Sequence, residues 1–368
     1  MRSAYVQRQR EEHGRKSIVV LPVHYPKEIL TAMDVLAVEL WGPPGAPRGP
    51  EAGRLQAYVC AVVRNALAFL AGGHADVVDA ALFPHTCDSV QGLATLVTDF
   101  GGWSKPSFVF QHPKGPTRAS VRKYLVAELR SLADGLATLT GRPLDVAELR
   151  AAIRLHRTID EVKTRILEGR GRLATSDREL YATLRRGEWL WPEEHLEELR
   201  VLERQLPEAG APARKGVPLF VTGYVPEPMS ILDALDEVGA YVARDDWAAI
   251  GRRVVTPARA LDLEGDPFET LAALYYEAPQ CPTRSLDQAG RLQRLLALYD
   301  QSGARGVIVH EPKFCEPEAF DVPAIRKAFG ERGVPLLYLE TELETELAGQ
   351  TTTRLEAFVE MVGARRVA

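Results

Sequence analysis

Three of the four cysteines in this 368-residue chain sit in phrases whose residue types suit metal ligation. They are Tyr58-Val59-Cys60, Pro84-His85-Thr86-Cys87-Asp88-Ser89 and Lys313-Phe314-Cys315-Glu316-Pro317. Thiolates are ligands for soft metals and iron–sulfur clusters. Three of them supply three of the four ligands of a cubane, and the missing fourth leaves one iron open. Long stretches of chain separate the three cysteines, unlike the tight run of a ferredoxin. That spacing suits a cluster assembled between two folded halves. Spacing alone leaves a second reading open, that of buried structural thiols, which are common. Cys281, in Pro279-Gln280-Cys281-Pro282, lies among prolines between two helices and reads as structural.

Such residues need elements to bring them together. Residues 17–23 form a continuous β-branched run that predicts a buried strand, followed by a helix over 27–33. A second helix is predicted over 52–71, carrying Cys60 and stopped by Gly72-Gly73. Strands are predicted over 77–83 and 107–110. From 117 to about 207 no strand signal appears. Val121, Leu125, Leu129, Leu132 and Leu136 recur at helical spacing, and Leu149, Ile153, His156, Ile159 and Ile166 continue the pattern. Strands return over 217–222, 240–243, 306–309 and 336–339, with helices over 287–299 and 324–331. Alternating strands and helices imply parallel sheets covered on both faces. The expected fold class is therefore α/β. It has two flavodoxin- or Rossmann-like parallel-sheet domains (1–116 and 216–368) joined by a helical region (117–215). Cys87 and Cys315 then each follow the carboxyl end of a strand, where open α/β sheets keep their chemistry.

Other phrases extend the pattern. They include Leu21-Pro22-Val23-His24-Tyr25-Pro26-Lys27-Glu28-Ile29-Leu30, Glu39-Leu40-Trp41-Gly42 and Asp245-Asp246 with Arg252. Phe320-Asp321-Val322-Pro323 follows the Cys315 phrase, and Thr353-Arg354-Leu355-Glu356-Ala357-Phe358 lies near the end of the sequence. With the cysteine phrases, in this order, they resemble the cluster-carrying subunits of the 2-hydroxyacyl-CoA dehydratase/benzoyl-CoA reductase family. The resemblance implies Cys60, Cys87 and Cys315 as ligands of a [4Fe-4S] cluster with one open iron. It offers Glu28 as an acid/base residue, and Asp246 and Arg252 as pocket or structural polar groups. Glu28 reads equally as an exposed acid in the first turn of a helix. His85 and His310 flank the cysteines and are candidates to donate hydrogen bonds to the cluster or the substrate. Hydrogen-bonded histidines at strand ends are the bland alternative. Two departures leave the substrate open: Trp247 stands where the family often has a cysteine, and Glu340-Thr341-Glu342 has Glu for the usual Asp.

The chemistry that the resemblance implies is demanding. The β-proton of a 2-hydroxyacyl-CoA is not acidic, so direct loss of water is hard. One electron added to the thioester carbonyl gives a ketyl radical anion that expels the adjacent hydroxyl and makes that proton far more acidic. Reducing an aromatic acyl-CoA ring likewise needs a first electron at very low potential. An open iron would act as a Lewis acid toward the carbonyl. The implied partners are a CoA thioester, a separate ATP-dependent iron–sulfur activator, and a second subunit, either a homodimer mate or a paralogue. The chain has no Walker A phosphate loop of its own. Gly169-Arg170-Gly171-Arg172-Leu173-Ala174 matches a dinucleotide pattern, but no strand precedes it.

Composition sets bounds. A 46% hydrophobic and 26% charged make-up is that of a globular protein with ample core. A net charge of −5 gives no footing for a nucleic-acid partner. No apolar run reaches membrane length, and the first 16 residues lack a signal-peptide core, so a cytoplasmic location is expected. There, cysteines are more often metal ligands than disulfides. Two further functions stay in view: a low-potential iron–sulfur electron relay that binds no acyl-CoA, and a non-redox flavodoxin-like binding protein.

Overall fold

The computed structural model describes residues 2–45, 49–116, 118–208, 214–256, 262–284 and 287–364, with only the backbone at 51 and 52. The expected start of the helical region at Thr117 lies outside the described residues. Helix α1 (Arg2–His13) leads into β1 (Lys16–Val20), α2 (Lys27–Ala32), β2 (Val35–Glu39), α3 (Ala61–Ala71), β3 (Ala80–Pro84), α4 (Asp88–Thr95) and β4 (Ser107–Phe110). Four helices follow without a strand: α5 (Ala119–Thr140), α6 (Val146–Gly169), α7 (Asp177–Arg185) and α8 (Pro192–Glu203). The second α/β part contains β5 (Val217–Gly223), α9 (Ser230–Glu237), β6 (Ala240–Trp247), α10 (Pro267–Glu277) and α11 (Gln288–Ser302). It ends with β7 (Gly306–Pro312), α12 (Glu316–Ala319), α13 (Val322–Glu331), β8 (Leu336–Thr341) and α14 (Gly349–Ala364).

Both sheets are parallel and share one topology, β2-β1-β3-β4 and β6-β5-β7-β8. The chain is thus two parallel-sheet domains with an intervening helical region. Strand order reverses between β1 and β3 and again between β5 and β7. Crevices open at such points, beyond the carboxyl ends of the strands. Alternation along β1 divides the core. Val19 packs with α3 and with the second sheet, while Ile18 and Val20 face α5, α6 and α10. A third cluster packs Phe220, Val307 and Val309 against α11 and α13.

The helical stripe behaves as its spacing predicts. Leu125, Leu129, Leu132 and Leu136 of α5 are buried, and Gly141 (φ 74°) ends the helix in a left-handed turn. Asp145 caps α6, and Ser176 with Glu179 forms a capping box for α7.

One local expectation needs correction, and two elements lie outside the expected set. The helix predicted over 52–71 begins only at Ala61, after a short 3₁₀ turn at Pro50–Arg54, so Cys60 is its N-cap residue rather than an interior one. Gly53 and Pro50 break the early part of that pattern. Strand β2 is absent from the expected elements, because Val35–Glu39 is short and follows α2 after two residues. Helix α10 packs its Phe268, Leu271, Ala272 and Leu274 into the cluster with Ile18 and Val20, on the first sheet rather than the second.

Candidate functional site

Cys60, Cys87 and Cys315, far apart in sequence, line a single cavity of about 410 Å³ with Tyr224, Thr283 and Phe314. Each occupies the same local position. Cys60 is the N-cap of α3, Cys87 the N-cap of α4, and Cys315 the residue before α12. Cys87 follows β3 within a few residues, and Cys315 follows β7 in the same way. The two strand ends belong to different sheets and are tied together locally. Ala61 N–H donates to Lys313 O at 3.4 Å and Tyr224 OH donates to Pro22 O at 3.4 Å, while within the first sheet Thr86 OH lies 3.3 Å from the carbonyls of both Pro22 and Val23. Phe314, exposed on its outer side, holds a left-handed backbone (φ 64°) immediately before Cys315.

Burial dominates the electrostatics of these thiols. Burial first, and Cys87 second, push Cys60 up to about 12 against the pull of the backbone N–H groups of Val63 and Val62. Burial raises Cys87 too, opposed by the N–H groups of Val90 and Ser89. Cys315 is raised most by burial, then by Cys60. Buried thiols that raise one another in this way stay protonated unless a positive centre draws off their protons. Among the described residues, no group of three or more His, Cys, Asp or Glu side chains could hold one metal ion. The ligands of a cubane each bind a different iron and stand further apart than those of one ion.

The other residues singled out from sequence do not line this cavity. Cys281 is buried, 3.0 Å from Thr283 Oγ1 and 3.5 Å from an Arg252 nitrogen. His85 follows β3, with Nε2 3.9 Å from Asp88. His310 is fully buried, 2.9 Å from Thr341 Oγ1, and burial lowers it to about 4. Glu28 is buried at the start of α2, with Arg157 at 3.6 Å. Asp246 and Arg252 form the core of an ion network under β6. Asp246 Oδ2 accepts from Arg252 and Arg291 at 3.0 Å each, and both arginines also reach Glu318. Burial alone would raise Asp246, but Arg252, Arg291 and Arg294 hold it at about 2.

An apolar pocket of about 820 Å³ adjoins the cysteine cavity, walled by Phe110, Leu125, Leu129, Leu271 and Leu274, with Glu28 at its edge. His24 lines it. Its Nε2 lies 2.9 Å from Thr283 Oγ1, and Thr283 lines the cysteine cavity, so this pair is the wall between the two spaces. His24 also holds a left-handed backbone (φ 64°), and burial lowers its pKa well below the usual histidine range. In the sequence His24 stands only as one residue of the Leu21–Leu30 phrase. Its spatial partners, Thr283, His112 and Tyr275, are remote in the chain. The pocket's arginines are each held by a carboxylate: Arg253 by Glu39, Arg252 by Asp246 and Glu318, and Arg157 by Asp160.

No helix among the described residues is long and apolar enough to cross a membrane. The chain is 26% identical over 357 residues to the lactoyl-CoA dehydratase subunit beta of Anaerotignum propionicum, covering 95% of this chain and 93% of that protein. It is 24% identical to the (R)-2-hydroxyglutaryl-CoA dehydratase subunit beta of Acidaminococcus fermentans (94% and 92% covered). It is 25% identical to a benzoyl-CoA reductase subunit of Thauera aromatica (88% and 85% covered). Residues 22–362 match the family model described as 2-hydroxyglutaryl-CoA dehydratase, D-component, and the chain belongs to that family.

Proposed function

We propose that this chain is a [4Fe-4S]-dependent subunit of a 2-hydroxyacyl-CoA dehydratase or an aromatic acyl-CoA reductase, with Cys60, Cys87 and Cys315 as the cluster ligands. The observation that carries the reading is the arrival of three sequence-remote thiols in one cavity where the crevices of two parallel sheets meet. When bound, the cluster would supply a low-potential electron and a Lewis-acidic iron. The chain's own residues do the rest. The N-termini of α3 and α4 favour negative charge at Cys60 and Cys87. Tyr224 and Phe314 keep water from the thiols. The apolar pocket takes the acyl and pantetheine portions of a CoA thioester, and Glu28, at its edge, is the acid/base candidate best placed to meet them. His310 bonds Thr341 behind its strand end, while His85 Nε2, buried with no hydrogen-bond partner among the described residues, is the histidine with a donor left for the cluster or substrate. The activator and the second subunit belong to the same reading, as the relatives named as subunits suggest.

One observation favours a second reading, an electron relay that binds no acyl group: the His24–Thr283 contact stands between the cysteine cavity and the apolar pocket. Two measurements decide. Anaerobically purified protein should carry about four irons and four sulfides per chain. Cys87→Ala and Cys315→Ala should lose them, while Cys281→Ala keeps them. Equal loss in all three variants sinks the three-thiol ligand set. If the cluster-loaded protein then binds no CoA thioester from a panel of 2-hydroxyacyl and aromatic forms, the relay reading replaces the catalytic one.

A further inference from the structure

Beyond the apolar pocket lies a polar groove of about 690 Å³ that contains three arginines, Arg170, Arg244 and Arg294. The guanidinium of Arg170 is fully buried. Its Nε donates to Leu167 O at 2.8 Å and its Nη1 donates to Tyr181 and to Asp245, but its Nη2 has no partner among the described residues. Asp245 is used up. Its Oδ2 serves Arg170 and Tyr181, and its Oδ1 accepts from the backbone N–H groups of Trp247 and Gly251. The Arg244 side chain makes no hydrogen bond or ion pair among the described residues, although it is part-buried. Burial and the nearby Arg170 and Arg294 disfavour its charge, opposed by Asp245 and Glu168. Among the described residues Arg294 reaches only Asp246, at 3.5 Å, a carboxylate already shared with Arg252 and Arg291. Glu168 and Glu277 line the groove from exposed positions, where water screens them.

Gathering guanidiniums around an unfilled donor is costly unless an anion joins them. Guanidinium forks match phosphate oxygens in pairs. The groove also shares a wall with the apolar pocket. Pro279 lines both, and the consecutive residues Val254 and Val255 face one each.

We propose that Arg170, Arg244 and Arg294 bind the phosphate groups at the nucleotide end of coenzyme A, with the pantetheine arm running past Pro279 through the apolar pocket toward His24. The assignment rests on the proposed thioester function and adds the anchor that sets which end of the ligand faces the cysteines. Arg244 and Arg294 are the informative positions, because Arg170 also supports Tyr181 and Asp245.

The test is calorimetric titration of the full chain, anaerobically purified, with three probes: coenzyme A, ATP, and a butyryl thioester of N-acetylcysteamine, which carries no phosphate. Arg244→Gln and Arg294→Gln are compared with Arg332→Gln, at a residue paired with Asp300 on the surface. Unchanged melting temperatures establish that the variants fold. The expected result is coenzyme A binding that weakens steeply with salt and falls about tenfold or more in each groove variant. The short thioester should bind wild type and variants alike. Coenzyme A binding that is equal in wild type and groove variants overturns the anchor while leaving the thioester reading in place. Binding of ATP at these arginines without coenzyme A overturns both, as does failure of all three probes to bind.

Discussion

Glu311, on β7, shows how much a single buried carboxyl can decide. Its side chain is almost fully buried, Oε1 has no partner among the described residues, and Oε2 meets Tyr338 OH at 3.4 Å. Burial, reinforced by Glu318 and Glu340 against the pull of Arg252, raises it to about 8. A carboxyl whose folded pKa lies above its unfolded value of about 4.3 holds its proton better when folded. Its contribution is complete below that unfolded value and is lost as pH rises toward about 8. Glu311→Gln should therefore flatten the loss of thermal stability between about pH 5 and about pH 8. Melting temperatures across that range check it, and parallel curves for the two proteins would falsify the assignment. Asp246 is the opposite case, a carboxylate that three arginines keep ionised. Asp246→Ala should cost about 3–5 kcal/mol in urea unfolding, because it leaves Arg252 and Arg291 short of a buried partner.

At the scale of elements, the cysteines depend on where helices begin. Gly42, at φ 69°, passes so close to the first turn of α3 that a Cβ there would lie 2.6 Å from Val62 Cα and 2.7 Å from Val62 O. Both contacts are backbone, so neither can swing away. Asn65 secures the same junction by donating to Gly42 O at 3.3 Å and to Leu343 O at 3.0 Å. Gly42→Ala should push the start of α3, and Cys60 with it, away from Cys87 and Cys315. The expected outcome is lower iron content after anaerobic reconstitution, with far-UV circular dichroism unchanged. Full iron loading would show that the turn does not position the thiol. The same logic explains why Cys60 is useful as an N-cap and would not be in mid-helix. There it would point along the helix flank instead of toward the helices that begin at Asp88 and Glu316.

Across the whole molecule, the two sheets must keep their crevices opposed, and ion pairs span them, Arg64 with Glu342 and Arg253 with Glu39. Arg253, after β6, donates to both carboxylate oxygens of Glu39 at the end of β2, at 2.8 and 2.6 Å. The same carboxylate accepts from Tyr25 at 2.7 Å and Trp41 at 2.8 Å. Burial alone would raise Glu39, but Arg253, with the hydrogen bonds from Tyr25 and Trp41, more than offsets it and holds the carboxyl below the usual range. Arg253→Met should lower urea stability by about 3–5 kcal/mol, since it strands a buried carboxylate. It should also separate the transition into two steps as the domains uncouple. A single transition at the wild-type midpoint would argue that the hydrophobic cluster shared by both sheets is sufficient on its own.

The residue types and periodicities of this chain determined a good deal. β-branched runs at 17–23, 217–222 and 306–309 dictate parallel strands, because only a strand buried on both faces reads as continuously apolar. The leucine stripe of α5 dictates a strand-free helical region, since its spacing of three and four buries one face of a helix. The cysteine phrases pointed to strand ends, which local order alone can show. Tertiary structure decided the rest. The start of α3 at Ala61 rather than 52 depends on Gly42 and Lys313, contacts from elsewhere in the chain. The placement of α10 on the first sheet came from where its apolar face found cover. His24, Thr283 and the three groove arginines have no common motif, and proximity created by folding is what gives them a shared environment. Sequence spacing constrains neighbours within one element, where geometry repeats. It carries no such constraint between elements, whose juxtaposition is set by the packing of the whole core.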